Sequence, residues 1–135
     1  MNLNRSTMPR ILLIDDDHLL RSVVAKALGH AGYTVVQAGD GRQGVELARV
    51  TPVDLVITDL IMPVQEGMET IMVLRREQPE LPIIAISGGL SNSPLYLQIA
   101  EKIGAKRILQ KPFTPRELLE VINDVLSTDK APGPI

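Results

Sequence analysis

Residues 10–17 read RILLIDDD, an apolar run that is followed directly by three carboxylates. A run of branched aliphatic residues without a polar interruption is typical of a strand that is buried on both faces. Such a strand belongs inside a parallel sheet that helices cover on each side. The sequence therefore predicts that three acidic residues lie at the carboxyl end of a buried strand.

The same kind of apolar run recurs along the chain, and segments with helical spacing separate the runs. The first such segment has apolar residues at positions 19, 23, 24, 27 and 28, which would lie on one face of a helix. The predicted strands are Arg10–Ile14, Tyr33–Ala38, Val53–Thr58, Leu81–Ile86 and Lys106–Leu109.

Signals for helix ends agree with this periodicity. Residues 114–117 read TPRE, which combines an N-cap, a proline at the first helical position and a glutamate three residues after the cap. Asp40 followed by Gln43 has the same capping pattern. Gly32 and Gly104 stand where the first and fourth helices should end in a left-handed conformation.

Five alternating strands and helices with short connections predict an α/β fold. We expect a (βα)5 doubly wound sheet of five parallel strands with helices on both faces. The 135 residues suit a single domain, which we expect to span residues 9–127. Residues 1–8 are predicted to be a flexible N-terminal segment. Residues 128–135 contain two prolines and a glycine and are predicted to be a flexible C-terminal tail.

The composition argues against several classes of protein. A net charge of -2, from 14 basic and 16 acidic residues, indicates neither a nucleic-acid nor an anionic membrane partner. The chain has no cysteine, which excludes disulfide scaffolds and thiol chemistry. No apolar run approaches the roughly 18 residues that a membrane span needs. Aromatic residues make up only 2% of the chain, too few for base-stacking platforms. We expect a cytoplasmic protein.

Polar residues follow four of the predicted strands, at the edge where parallel strands end together. They are Asp15, Asp16 and Asp17 after the first strand, Asp59 after the third, Ser87 after the fourth and Lys111 after the fifth. Converging carboxylates repel one another unless a cation compensates them, and oxygen ligands favour Mg²⁺, with Mn²⁺ as the alternative. The sequence therefore predicts a divalent metal site at this edge. Asp17 taken alone is better explained as the N-cap of the first helix.

Four segments together resemble the bacterial response-regulator receiver family, which includes chemotaxis regulators. They are ILLIDDD (11–17), VITDLIMPVQEG (56–67), IIAISGG (83–89) and LQKPF (109–113). The resemblance extends over nearly all of the predicted domain and implies the flavodoxin-like strand order 2-1-3-4-5. It also implies a phosphoacceptor of a two-component or phosphorelay system, which signals through contacts with other proteins.

The resemblance implies a role for each acidic residue. Asp59 would be the phosphoacceptor, whose carboxylate attacks phosphorus and forms an acyl phosphate. Asp16 and Asp59 would bind Mg²⁺ directly, together with the backbone carbonyl of Ile61. Asp15 would help to orient the ion, partly through water.

The resemblance also implies roles for residues after the fourth and fifth strands. Lys111 would pair with the phosphoryl oxygens, and the Ser87 hydroxyl and Gly88 amide would complete the contacts. A cis peptide bond would precede Pro112. Ile108 departs from the family, which usually has an aromatic residue there whose rotamer follows the hydroxyl. Coupling through an aromatic side chain is therefore not expected in its usual form.

The implied partners are proteins. A sensor histidine kinase or a histidine phosphotransfer protein would donate the phosphoryl group, docking over the first helix, and an unidentified protein would receive the signal. A homodimer through the fourth and fifth helices stays open, as does the origin of the chain as one domain of a larger protein. We expect a signalling domain, not an enzyme, that assists only its own phosphorylation and dephosphorylation.

Two alternative functions are considered. The chain could be an atypical receiver that acts as an interaction module without phosphorylation, which Ile108 favours. A phosphohydrolase of the haloacid dehalogenase type is less favoured. That family needs a second aspartate two residues after the nucleophile, and this chain has Ile61 there.

Overall fold

The computed structural model describes residues 8–62 and 67–130, over which strands and helices alternate. The strands are β1 (Arg10–Ile14), β2 (Thr34–Ala38), β3 (Leu55–Asp59), β4 (Ile83–Ser87) and β5 (Arg107–Gln110). The helices are α1 (His18–His30), α2 (Gly41–Val50), α3 (Gly67–Glu77), α4 (Pro94–Ile103) and α5 (Pro115–Lys130), and a 3-10 helix (Gly89–Asn92) precedes α4.

The strands form one parallel sheet in the order β2-β1-β3-β4-β5. This order confirms the predicted (βα)5 fold and its flavodoxin-like topology. Every residue of β3 and β4 is buried, whereas the edge strands β2 and β5 are partly exposed. The apolar runs of the inner strands are continuous because helices cover both faces of an inner parallel strand.

Alternate strand residues pack into two hydrophobic layers, one on each face of the sheet. Leu12 and Val56 belong to the layer beneath α2, α3 and α4. Ile11 and Ile57 belong to the layer beneath α1 and α5. Burial of this aliphatic surface is the main stabilising contribution, at roughly 25 cal/mol per Å². None of the helices in the described ranges is long and apolar enough to cross a membrane.

Hydrogen bonds and backbone angles confirm the predicted helix ends. Thr114 and Glu117 form a reciprocal capping box, in which each backbone N–H donates to the other side chain at 2.9 and 3.1 Å. Asp40 caps α2 by accepting a 2.9 Å hydrogen bond from the backbone three residues later. Gly32 and Gly104 have positive φ angles of 105° and 133°. Helices α2 and α5 therefore begin, and helices α1 and α4 end, where their sequence signals stand.

Some element ends differ from the prediction. Helix α5 continues to Lys130, so residues 128–130 are helical where the sequence predicts a flexible tail. The first helix breaker after position 127 is Pro132, and helices normally end at or before the residue that precedes a proline. Residues 1–7 and 131–135, assigned to flexible termini, lie outside the described residues. The strands β3, β4 and β5 begin and end one or two residues later than predicted.

Gly67, the first residue of α3, packs against the backbone at the end of β3. Its N–H donates to the Leu60 carbonyl oxygen at 3.0 Å. A Cβ atom at this position would lie 2.1 Å from the Asp59 carbonyl oxygen and 2.5 Å from Leu60 Cα. Nonbonded atoms do not approach so closely, so only glycine lets α3 begin directly beside the end of β3.

We expect Gly67→Ala to lower the free energy of unfolding by about 1–3 kcal/mol, because the added methyl group meets backbone that cannot rotate away. Gly29→Ala is the matched control, since an added Cβ in this exposed turn of α1 would have no atom within 4 Å apart from neighbouring atoms of its own helix. The control should gain about 0.5–1 kcal/mol. Urea denaturation measures both changes. A Gly67→Ala variant as stable as the wild type would contradict the close approach.

Candidate functional site

The strands β1 and β3 are neighbours, so residues at their carboxyl ends lie side by side. Asp59 is the last residue of β3, and Asp15 directly follows β1. Carboxylate oxygens of Asp15, Asp16 and Asp59 all lie within 4.8 Å of one another. Asp15 and Asp59 are only 3% and 7% exposed, whereas Asp16 is exposed. The sheet topology thus brings three predicted metal ligands together.

Hydrogen bonds hold the loop after β1. The Asp15 N–H donates to the Ala38 carbonyl of β2 at 3.1 Å, and the Asp17 N–H donates to Asp15 Oδ1 at 2.9 Å. Asp17 Oδ1 accepts from the Leu20 N–H at 3.0 Å, which confirms its role as the N-cap of α1. Arg21, which sequence analysis missed, donates from Nη1 to the Asp15 carbonyl oxygen at 2.7 Å. These bonds fix the Asp15 carboxylate beside β3.

Burial raises the pKa of Asp15 to about 6, because the charged carboxylate loses its hydration. The negative charge of Asp59 raises this pKa further, whereas the hydrogen bond from Asp17 and the charge of Lys111 lower it. The ionised form of Asp15 is therefore unfavourable where it stands. Additional positive charge at this position would stabilise it.

Lys111, which follows β5, reaches Asp59 across the end of β4. Its Nζ donates to Asp59 Oδ2 at 3.3 Å, and the two groups form an ion pair. The Ile61 N–H donates to Asp59 Oδ1 in a long bond of 3.4 Å. The Lys111–Pro112 peptide bond is cis, as the family resemblance implies. At Gly88 an added Cβ would lie 3.1 Å from Lys111 Cδ, so the glycine leaves room for the lysine side chain.

An open pocket of about 540 Å³ gives solvent access to this ion pair. It is lined by Asp59, Ile61, Gly88, Gly89, Lys111 and Pro112. An anion that enters the pocket meets the ammonium group of Lys111 beside the Asp59 carboxylate. The pocket can therefore bring a small anion to Lys111. A cation bound at the neighbouring carboxylates would offset the repulsion between that anion and Asp59.

Ser87 is fully buried at the end of β4 and is not among the described residues that line the pocket. Its Oγ donates a 2.6 Å hydrogen bond to Asn92 Oδ1, in the 3-10 helix that follows. The hydroxyl predicted to contact a phosphoryl group thus has another partner. Sequence analysis missed Asn92, because no motif or periodicity predicts which group a polar side chain between a strand and a helix contacts.

The acidic cluster fits a hard divalent cation. Opposite ligands of an octahedral magnesium ion lie about 4 Å apart, since each metal–oxygen distance is about 2.1 Å. The separation of up to 4.8 Å among the three carboxylate oxygens is slightly larger. The three carboxylates are thus near enough to converge on one ion after small side-chain rotations. The cluster could therefore bind a metal ion.

The sequence matches the model of the family described as "Response regulator receiver domain" over residues 11–123. The transcriptional regulatory protein CpxR of Escherichia coli K12 is 34% identical over 119 residues, which make up 88% of this chain and 50% of CpxR. The autoinducer 1 sensor kinase/phosphatase LuxN of Vibrio campbellii is 31% identical over 123 residues, 91% of this chain and 14% of LuxN. The chain therefore spans half or less of the length of these relatives.

A solved structure has the same fold. The chemotaxis protein CheY4 of Vibrio cholerae has a TM-score of 0.82 and 33% sequence identity to this chain. The match covers 88% of this chain and 99% of CheY4. The likeness in fold thus extends over nearly the full length of that protein.

We expect Asp15→Asn to stabilise the metal-free protein above pH 7 by about 1–3 kcal/mol. The Asp15 carboxyl has a pKa of about 6 in the folded protein against an ordinary value of 3.8. Its ionisation therefore costs nothing below pH 3.8, and the cost grows as the pH rises and is complete above about pH 6. Asparagine removes this cost and keeps the oxygen that accepts from the backbone of Asp17.

Chemical denaturation in EDTA at a series of pH values measures this gain. Asp16→Asn is the control, because the Asp16 carboxylate is exposed, and it should change stability less. A gain for Asp15→Asn that is the same at pH 4 and pH 8 would contradict burial of the charge as its cause.

Proposed function

Because this chain belongs to the response regulator receiver family, we propose that it is a phosphoacceptor that takes a phosphoryl group on Asp59. The single observation that carries the proposal is the position of the Asp59 carboxylate. It is paired with Lys111 at 3.3 Å, it lies beside two further carboxylates, and it borders an open pocket. An isolated structural ion pair would need neither the carboxylates nor the pocket.

The proposed reaction transfers the phosphoryl group from a phosphohistidine. An Asp59 carboxylate oxygen attacks phosphorus, the new O–P bond forms, and the P–N bond to the donor imidazole breaks. The imidazole nitrogen keeps the electron pair of that bond and takes up a proton. Lys111 pairs with the phosphoryl oxygens and stabilises their charge during the transfer.

The reaction needs more positive charge than Lys111 alone supplies. We propose that Asp15, Asp16 and Asp59, with the backbone carbonyl of Ile61, hold Mg²⁺, and that Mn²⁺ can replace it. The ion, when bound, offsets the repulsion between the anionic nucleophile and the anionic phosphoryl group. The Asp15 carboxyl supports this assignment, because burial disfavours its charged form and raises its pKa, and a bound cation would offset that cost.

The product would be a signal of limited lifetime. An aspartyl phosphate is a mixed anhydride that water hydrolyses, so the domain would return to its resting state without another protein. The chain would assist only its own phosphorylation and dephosphorylation and would be a signalling domain. A cytoplasmic location belongs to this proposal and is supported by the cysteine-free sequence.

A groove between α1 and α5 is the proposed docking site of the donor, a sensor histidine kinase or a histidine phosphotransfer protein. It has a volume of about 310 Å³ and is lined largely by apolar side chains. They include Val23 of α1, Phe113 just before α5, and Pro115 and Leu118 in the first turn of α5. Lys111 also lines this groove, so a protein bound there would lie beside the phosphoryl pocket.

The proposed output surface is α4, β5 and α5, which would contact a downstream protein or a second copy of this chain. Leu95 and Ile99 of α4 are 67% and 43% exposed. They are four residues apart and therefore lie on one face of the helix. An apolar face of this kind suits contact with another protein.

A non-phosphorylated interaction module is the second candidate function. It is favoured by Ile108, which replaces the usual aromatic residue, and by the engagement of the Ser87 hydroxyl with Asn92. This candidate leaves the acidic cluster and its approach to Lys111 without a purpose. Phosphorylation is therefore the better-supported function.

Incubation with acetyl phosphate and Mg²⁺ is expected to add one phosphoryl mass to the purified protein. Asp59→Asn should gain none, because an amide oxygen does not form the acyl phosphate. EDTA should suppress the gain in the wild type. Intact-mass spectrometry over a time course measures all three results. A gain of equal size in Asp59→Asn would place the acceptor at another residue, and no gain with either acetyl phosphate or a phosphohistidine donor would favour the interaction module.

Val23→Lys is expected to lower transfer from a phosphorylated histidine phosphotransfer protein by about tenfold, because it places a charge in the apolar groove. Transfer from acetyl phosphate should stay unchanged, since this small donor needs no docking surface. Val50→Lys on α2 is the control, because Val50 is also exposed and lies outside the groove. Equal loss with both donors would place the effect in the site itself.

A further inference from the structure

The Ser87 hydroxyl has one proton to donate, and in this structure the proton goes to Asn92. The Oγ–Oδ1 distance is 2.6 Å, and Ser87 has no exposed surface. Water therefore cannot replace the partner at this hydroxyl without a rearrangement. A contact between Ser87 and a group on Asp59 must first break the bond to Asn92.

The backbone of Ser87 is fixed on both sides. The Lys111 N–H donates to the Ser87 carbonyl oxygen at 2.8 Å, and the Leu60 N–H donates to the Ile86 carbonyl oxygen at 3.0 Å. These bonds tie the end of β4 to the ends of β5 and β3. The hydroxyl can therefore change its partner only by rotation about χ1, while the sheet stays in place.

Asn92 lies at the opposite end of this bond, outside the sheet. It is the last residue of the 3-10 helix Gly89–Asn92. Ser93, the next residue, is the N-cap of α4, and its Oγ accepts from the Tyr96 N–H at 3.3 Å. The hydrogen bond from Ser87 thus ties the start of α4 to the fixed end of β4.

We propose that Asn92 is a positioning residue that holds the Ser87 hydroxyl in the unphosphorylated state and releases it when Asp59 carries a phosphoryl group. The inference rests on the proposed function. It adds Asn92 as an acceptor that competes with the phosphoryl group for the Ser87 hydroxyl. A phosphoryl oxygen is charged and accepts a stronger hydrogen bond than the neutral amide oxygen of Asn92. The hydroxyl therefore turns toward the phosphoryl group, and the start of α4 loses its attachment to β4.

This route to α4 does not need an aromatic residue at position 108. Ile108 is half-buried and packs against the hydrophobic layer beneath α2, α3 and α4, as Tyr96 does. Its side chain is part of that packing and has no polar group to follow the hydroxyl. Asn92 is connected to α4 through the backbone, so its release acts on the helix directly.

The affinity of the protein for beryllium fluoride in the presence of Mg²⁺ tests the proposal, because this complex mimics a phosphoryl group on a carboxylate. Isothermal titration calorimetry measures the Kd without an aromatic reporter. Asn92→Ala is expected to bind about two- to tenfold more tightly than the wild type, since binding no longer breaks a hydrogen bond. Asn123→Ala, an exposed asparagine of α5, is the matched control and should bind as the wild type does.

The same substitution in a Ser87→Ala background separates release of the hydroxyl from a general structural effect. Without the hydroxyl, Asn92→Ala should not change the Kd. Asn92→Asp tests the acceptor itself, because it preserves the shape and keeps an oxygen that accepts from Ser87. It should bind no more tightly than the wild type. This variant also keeps the proposal testable if Asn92→Ala does not fold.

The possible outcomes separate the two proposals. An unchanged Kd for Asn92→Ala, an equal gain in the Ser87→Ala background, or a gain for Asn92→Asp would overturn the role of Asn92 and leave Asp59 as the acceptor. A wild-type protein that neither binds beryllium fluoride nor gains a phosphoryl mass would overturn the proposed function, and the role of Asn92 with it.

Discussion

Two carboxylates that are buried side by side constrain the rest of this structure. Asp15 and Asp59 end neighbouring strands, and their oxygens lie within 4.8 Å of each other and of Asp16. Burial and repulsion both disfavour this arrangement, as the raised pKa of Asp15 reports. The surroundings compensate in part, through the ammonium group of Lys111 and backbone N–H donors. A divalent cation bound at these carboxylates would supply more positive charge and offset that cost.

Much of the fold follows from short stretches of sequence. Uninterrupted apolar runs predict inner parallel strands, because only such strands are covered on both faces. Parallel strands end at one edge of a sheet, so the sequence alone predicts that Asp15, Asp59 and Lys111, which follow three of these runs, lie together. Helix α5 continues through residues 128–130, past the predicted end of the domain, because no helix breaker stands before Pro132.

The sequence could not identify contacts that depend on loop conformation. Arg21 reaches the Asp15 carbonyl, and Asn92 reaches the Ser87 hydroxyl, through side chains that no periodicity or motif singles out. Both residues act on groups that the sequence did identify. The Asn92 contact also links the strand ends to α4 in a chain whose Ile108 lacks the polar or aromatic character of a usual switch. The structure therefore adds most near Ile108, the position where this chain departs from the family pattern.

The proposed function requires that the Asp59 carboxylate itself becomes the acyl phosphate. Borohydride reduces an acyl phosphate to an alcohol and leaves a free carboxylate unchanged, so it marks the acceptor residue chemically. Protein treated with acetyl phosphate and Mg²⁺, then with borohydride, should yield a peptide with homoserine at position 59 on mass-spectrometric sequencing. The proposed function predicts this product only when acetyl phosphate and Mg²⁺ are both present before reduction. Recovery of aspartate at position 59, with homoserine at Asp15 or Asp16, would contradict it.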